Sequence, residues 1–359
     1  MEKLTMLDYV KETPGVLRTN IEQYTALVEP LMKEMQQKDI KRILLVASGS
    51  SHNACYCARS FVEKVSGLEV RIITPYTFTY YENDIKETDL VLVVTQSGLS
   101  TNAIEALKII KKKQCRAICL TGNKNSDVKD VADVVIEYGV GEELVGYVTK
   151  GVSSLALFLD LFAIAYSGKT EYLEELKKAV HLNEEMIGKA TSFIQLHYKE
   201  FSSMSWVYSC GAGANYGTAL ESALKMGETI HIPSCCYEIE EYIHGPNLQL
   251  TPQYNVIFYD GYEVARHRGE QVDMATRKVS ERAYLISNNP GLADDDHVLS
   301  LSDTVSSELS PIVYLPFVQL LSFIISNDLH SIYQHPLLKE FKAIAAAKTE
   351  NFVNYDGDD

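Results

Sequence analysis

Two short runs gather hydroxyl groups around a glycine: Thr95-Gln96-Ser97-Gly98-Leu99-Ser100 and Ser48-Gly49-Ser50-Ser51. Each follows a continuously apolar stretch and precedes a segment of helical periodicity, so each is expected to open a helix at the end of a strand. A helix N-terminus presents unpaired backbone N–H groups and a partial positive charge, which suits an anion. Thr95, Ser97 and Ser100 add hydroxyl donors, with Gln96 between them, and Ser50 and Ser51 add two more. Gly98 lets the backbone curl close to a ligand. Neither run contains lysine or arginine, and no Walker lysine is present. The chemistry expected is therefore capture of a single phosphate monoester on a sugar, not a nucleoside triphosphate. The competing reading is an ordinary turn in which Ser100 is only an N-cap.

The elements that must position these runs follow from hydrophobic periodicity. Thr13-Pro14 reads as an N-cap and first helical residue, followed by apolar positions at helical spacing to about Gln37. Strands are expected at 41–48, 69–73, 89–95, 115–121 and near Val134. Helices are expected at 52–66, closed by Gly67, at 100–113 and at 150–167. Strands that are apolar throughout and alternate with helices mean a parallel sheet covered on both faces. Ligands in such a sheet bind beyond the carboxyl ends of the strands, at a switch point in strand order. That is where both hydroxyl runs fall.

The second half repeats the plan. Helices from about Glu171 to Ser203 lead to a strand at 206–210, the turn Gly211-Ala212-Gly213 and a helix at 214–229. A strand at 254–260, a helix at 262–280, a strand at 282–287 and an apolar helix at 308–326 follow. Gly49 pairs with Gly211 and Asn53 with Asn215, which reads as an internal duplication. Ser50-Ser51 become Ala212-Gly213, and the second copy has no counterpart of the Gln-Ser-Gly loop. One half kept a ligand site that the other lost.

Composition excludes several classes. With 359 residues and 46% hydrophobic content the chain suits two medium domains with sizeable cores. The net charge of −15 argues against a nucleic-acid surface. No uninterrupted apolar run reaches about 18 residues, so no membrane span is expected, and the opening Met1-Glu2-Lys3-Leu4 carries no signal peptide. Seven cysteines (Cys55, Cys57, Cys115, Cys119, Cys210, Cys235, Cys236) show no paired metal-ligand spacing. They read as reduced, with no metal and a cytoplasmic setting.

Gly49-Ser50-Ser51-His52-Asn53 and Thr95-Gln96-Ser97-Gly98-Leu99-Ser100-Thr101 resemble the two ligand loops of SIS (sugar isomerase) domains. The likeness extends over nearly the whole chain. It is strongest for the isomerase half of glucosamine-6-phosphate synthase and for the deglycases that cleave phosphorylated Amadori compounds; Met6 to Pro14 resembles the entry to that half. The fold implied is α/β, with two doubly wound parallel-sheet SIS subdomains in tandem. The boundaries expected are an N-terminal helical segment at 1–40, SIS domain 1 at 41–168, a helical connection at 169–204, SIS domain 2 at 205–330, and a C-terminal helix with acidic tail at 331–359.

Leu220 to Glu228, then His244-Gly245-Pro246, is similar to the family's catalytic segment, with the family's sixteen-residue gap between glutamate and histidine. The resemblance makes Glu228 the base that moves a proton between C1 and C2. It makes His244 the group that opens the sugar ring, reaching into the partner subunit's site. A positioned carboxylate and a near-neutral acid/base are what those steps need. The bland alternatives are a surface glutamate at a helix end, which opposes the dipole, and a turn histidine fixed by Gly245-Pro246. Glu221, on the same helical face as Glu228, holds either a substrate group or a structural hydrogen bond. The synthase tail carries a Schiff-base lysine in a Pro-Arg-x-Leu-x-Lys context. Here His335-Pro336-Leu337-Leu338-Lys339-Glu340-Phe341-Lys342 lacks the arginine and offers Lys339 or Lys342.

Met1-Glu2 leads straight into the SIS-like region, so no glutamine-hydrolysing module is expected. The resemblance implies a homo-oligomer, at least a dimer, with no cofactor, acting on a sugar 6-phosphate or its amine adduct. The leading expectation is a deglycase that releases sugar phosphate and amine. The alternatives are a ketose/aldose or amino-sugar phosphate isomerase or deaminase, and a non-catalytic sugar-phosphate sensor. Residues 1–40 offer no basic recognition helix, and a sensor needs neither Glu228 nor His244.

Overall fold

A computed structural model describes residues 4–37, 39–144, 146–261, 265–332 and 338–353. The strands are β1 (Arg42–Ala47), β2 (Glu69–Ile73), β3 (Asp89–Thr95), β4 (Ile118–Thr121), β5 (Val134–Glu137), β6 (Val207–Gly211), β7 (Ser234–Tyr237), β8 (Asn255–Tyr259), β9 (Ala283–Ser287) and β10 (Val298–Ser300). The helices are α1 (Met6–Glu22), α2 (Tyr24–Met35), α3 (Gly49–Ser66), α4 (Pro75–Tyr80), α5 (Thr101–Lys112), α6 (Lys150–Ser167), α7 (Tyr172–Leu196), α8 (Tyr198–Ser202), α9 (Asn215–Lys225), α10 (Ile239–Ile243), α11 (Arg266–Arg277), α12 (Ser310–Asp328) and α13 (Leu338–Ile344). They form two five-stranded sheets, both wholly parallel, in the orders β2-β1-β3-β4-β5 and β10-β9-β8-β6-β7. Both are doubly wound, with the switch point between β1 and β3 in one and between β6 and β8 in the other.

Two compact units divide the chain. One holds Gly15–Cys55, Phe61–Leu173 and Gln334–Asp359; the other holds Met1–Pro14, Tyr56–Ser60 and Glu174–Tyr333. The first packs Leu44, Val46, Val91 and Val93 of its sheet against Ala103, Leu107 and Ile110 of α5. The second packs Tyr208, Val256, Phe258 and Leu285 against Ile239, Tyr242 and Val272. Each Val, Leu, Ile or Phe side chain among these contributes about 1.5–3 kcal/mol when fully buried.

Several elements differ from the sequence expectation. Pro14 lies inside α1 instead of opening it. The start is a capping arrangement at Thr5, whose N–H and hydroxyl both donate to Asp8 at 2.7 and 2.8 Å. The Thr13 hydroxyl donates to the Tyr9 carbonyl at 2.7 Å, inside the helix. The single N-terminal helix is two, α1 and α2. Strands β7 and β10 and helix α4 were not expected. β7 is an edge strand whose Ser, Cys and Tyr residues are half-buried or exposed, and β10 has three residues, so neither leaves an apolar run.

Two helices, α6 and α12, are long and apolar enough to cross a membrane, but 83% and 89% of their apolar windows are buried within the protein. They are core helices. All seven cysteines are free. No cluster of three metal-ligating side chains occurs among the described residues. The tail residues Asp356 to Asp359 lie outside the described residues, as do His335, Pro336 and Leu337.

Candidate functional site

The register of the first sheet pairs Ala47 with Val94, so the two hydroxyl runs leave β1 and β3 at the same level. The Asn102 amide donates to the Ser48 hydroxyl at 3.3 Å and ties the runs together. Ser50 and Ser51, buried, lie in the first turn of α3, after Gly49 at φ +57°. Gly98 has φ +64°, and a Cβ there would stand 1.7 Å from the Ser126 hydroxyl. Only glycine fits this turn. The Gly98 carbonyl accepts from the Val128 N–H at 3.2 Å, and the Thr95 hydroxyl donates to that of Ser100 at 3.3 Å.

Ser100 is the N-cap of α5, but its side chain makes no capping hydrogen bond. Its hydroxyl instead accepts from Lys348 Nζ at 3.0 Å, and the Ser97 hydroxyl accepts from the same atom at 3.0 Å. The chain around Lys348 is pinned to the loop: the Thr101 N–H donates to the Ala347 carbonyl (3.1 Å) and the Thr349 N–H to that of Leu99 (2.9 Å). Asn351 donates to Asp127 at 2.9 Å, and hydrogen bonds from Thr349 and Asn351 hold the Asp127 carboxyl below its usual range. Burial holds Lys348 below the usual lysine range. The positive charge that both hydroxyl runs lack in sequence thus comes from the C-terminal segment. Lys342 is exposed on α13, and the Lys339 side chain lies outside the described residues. His52, in α3, is pushed down in pKa by burial.

In the other unit, Glu221 lies on α9, and Glu228 on the single π-helical turn (Met226–Ile230) that extends it. Such turns recur at functional sites. Lys225 joins the two glutamates. Its Nζ lies 3.1 Å from Glu221 and 2.5 Å from Glu228, with Lys225 and Glu221 fully buried and the Glu228 side chain 30% exposed. Burial opposes the Lys225 charge, but the two carboxylates outweigh it and push its pKa up. A buried ammonium thus holds one carboxylate inside the unit and the other at its surface. Glu228 is thus an ion-pair partner of a buried lysine at the end of α9. His244 stands on the exposed turn after α10, its N–H donating to the Glu241 carbonyl at 3.2 Å. Among the described residues no hydrogen bond or ion pair joins His244 to the Lys225 group.

Sequence reading missed Lys348 and Lys225. Lys225 could have been found from its spacing, four residues after Glu221 and three before Glu228, which puts all three on one helical face. Lys348 stands after Ala345-Ala346-Ala347 with no local signal; only the tertiary fold brings it to Ser97.

Residues 38–186 match the SIS domain family. The glutamine–fructose-6-phosphate aminotransferase [isomerizing] of Sulfurisphaera tokodaii is 24% identical over 323 residues, 89% of this chain and 52% of that protein. The chain thus spans about half the length of this curated relative. A structure from Clostridium difficile 630, named as a candidate phosphosugar isomerase, superposes with TM-score 0.83 at 23% identity, covering 97% of this chain and 100% of that one. The glucosamine-6-phosphate deaminase of Thermotoga maritima superposes with TM-score 0.71 at 19% identity, covering 91% and 95%. The similarity to the SIS domain family thus covers residues 38–186 of this chain.

Proposed function

We propose that this chain is an enzyme acting on a sugar 6-phosphate joined to an amine, a deglycase of the Amadori type. The observation that carries the reading is Lys348 Nζ seated 3.0 Å from the hydroxyls of both Ser97 and Ser100. Neutral hydroxyl donors, helix N-termini and one ammonium suit a phosphate monoester dianion. Ser50, Ser51 and Thr95 complete its seat.

The chemistry then follows from proton bookkeeping. His244 opens the ring to a ketone at C2 with the amine on C1. Glu228 removes a C1 proton, giving an enaminol, and a proton returned at C2 leaves an imine at C1. Water adds to that imine, and the C1–N bond breaks to give aldose 6-phosphate and free amine. No oxidant, reductant or cofactor enters. By resemblance to the family, His244 serves the site of a partner subunit.

The same base would serve an isomerase or a deaminase, and the likeness to the Thermotoga maritima deaminase keeps that second reading. Incubation with fructoselysine 6-phosphate separates them. The deglycase releases lysine and glucose 6-phosphate. Interconversion of hexose 6-phosphates, or ammonia release from glucosamine 6-phosphate, with the adduct left intact would overturn it.

A further inference from the structure

Glu143 closes the short segment that precedes α6, and its carboxylate is fully engaged. Oε1 accepts from the Thr149 and Lys150 N–H groups, each at 2.8 Å, and Oε2 accepts from the Gly151 N–H at 2.9 Å. The fourth donor is the side-chain amide of Gln96, inside the hydroxyl loop. The first three are orphan donors at the start of an eighteen-residue helix, so the carboxylate sits where the helix field favours negative charge.

Gln96 is held from both ends. Its backbone carbonyl accepts from the Gly122 N–H at 3.0 Å and the Thr121 hydroxyl at 3.2 Å. Its side chain lies flat on Gly151, where a Cβ would stand 1.8 Å from Gln96 Oε1. The next residue, Ser97, turns its hydroxyl to Lys348 instead. The Gln96 amide is thus committed to the interior, while the residues after it face the seat. Burial pushes the Glu143 pKa up, and the four donors pull it back.

We propose that Glu143 is the positioning residue of the hydroxyl loop. It acts through the Gln96 amide, so that Gln96 serves a bound phosphate through its backbone and not through its side chain. This rests on the reading of the loop as a phosphate seat. A carboxylate this close to an anion site would repel the ligand if its charge were not spent on α6. Clamping Gln96 also fixes the direction of the peptide groups that follow it, on which an anion seat depends.

The test is calorimetry with glucose 6-phosphate on the full chain and on Gln96→Met, Glu143→Gln, the double variant and Ser97→Ala, each with its melting temperature recorded. Gln96→Met fills the same space and leaves the α6 cap intact, so it stays informative if Glu143→Gln does not fold. The expected result is about tenfold weaker binding for each of Gln96→Met and Glu143→Gln. The double variant should be no weaker than the worse single one, the mark of residues acting as one unit. A loss in Gln96→Met without a loss in Glu143→Gln would make Gln96 a direct ligand and overturn the proposal. Lower melting temperatures with unchanged affinity would reduce the clamp to a structural role and overturn it too. Unchanged affinity in Ser97→Ala would remove the phosphate seat itself, and the proposal with it.

Discussion

The two sheets share one strand order, yet their switch points are built for different ends. At the first, β3 ends in a loop whose Ser97 and Ser100 hydroxyls accept from Lys348. At the second, the matching atoms bond within the unit. Asn215 donates to Ser310 at 2.8 Å and Thr218 to Asn215 at 3.1 Å. The Ser287 hydroxyl donates to the Asp260 carboxylate at 3.3 Å, and Tyr314 donates to the Asp260 carbonyl while accepting from the Asn288 N–H at 2.7 Å. A Cβ on Gly211 would meet the Asn215 carbonyl oxygen at 2.2 Å, so this turn closes on its own helix. The lesson is that a doubly wound sheet provides a place for a ligand but not the ligand's donors. Where helix α12 supplies partners to the strand ends, the place is sealed. The second unit's ionisable group, Glu221, Lys225 and Glu228, lies further along α9 and the turn that extends it.

That division of labour is breakable. The largest effect is expected for Glu228→Gln, which keeps the side chain's shape and removes the base. Turnover should fall by about 10²–10⁴-fold while affinity for glucose 6-phosphate is kept. Steady-state kinetics with calorimetry on the same sample would show it, and a loss of affinity equal to the loss of rate would blur the division.

Next comes the tail. Lys348→Ala should weaken glucose 6-phosphate binding by about 10–100-fold, the loss of a charge-assisted contact. Lys342→Ala, exposed on α13, should leave that affinity unchanged. Borohydride trapping of substrate at Lys342, located by peptide mass spectrometry, would give the Schiff-base role to one of the two lysines the sequence suggests.

The smallest effect concerns stability. Asp160 is buried in α6, and its Oδ1 has no hydrogen-bond partner among the described residues. Burial raises its pKa well above 3.8. The folded chain keeps this proton at pH values where the unfolded chain has released it, so stability falls as pH rises above the ordinary aspartate range. Asp160→Asn should therefore stabilise the protein by about 1–3 kcal/mol at pH 8 and by less at pH 5. Equal gains at the two pH values in denaturant titrations would refute the account of that carboxyl.

Legibility in the sequence followed the physics of each element. All five strands of the first sheet and helix α6 could be read, because continuous apolar runs and Gly67- or Ser100-type boundaries mark them locally. β7 could not, since an edge strand of Ser, Cys and Tyr has no pattern to detect. Thr13-Pro14 misled because a proline after a threonine looks like a helix start, while the stronger signal, Thr5 with Asp8, lay eight residues earlier. The hydroxyl loops were visible as composition. Lys348, some 250 residues away from Ser97 and Ser100, was not, because contacts of that separation are fixed by tertiary packing and leave no periodic trace.

The claim on which the rest depends is that the loop from Thr95 to Ser100 holds a phosphate. Titration of glucose 6-phosphate and of glucose into the wild-type chain and into Thr95→Val/Ser97→Ala tests it most directly. The account predicts that the wild type binds the phosphate ester and not glucose. It predicts that the folded double variant loses about 3–6 kcal/mol of that binding, two charge-assisted hydrogen bonds of about 1.5–3 kcal/mol each. Equal affinity of the two proteins for glucose 6-phosphate would contradict it.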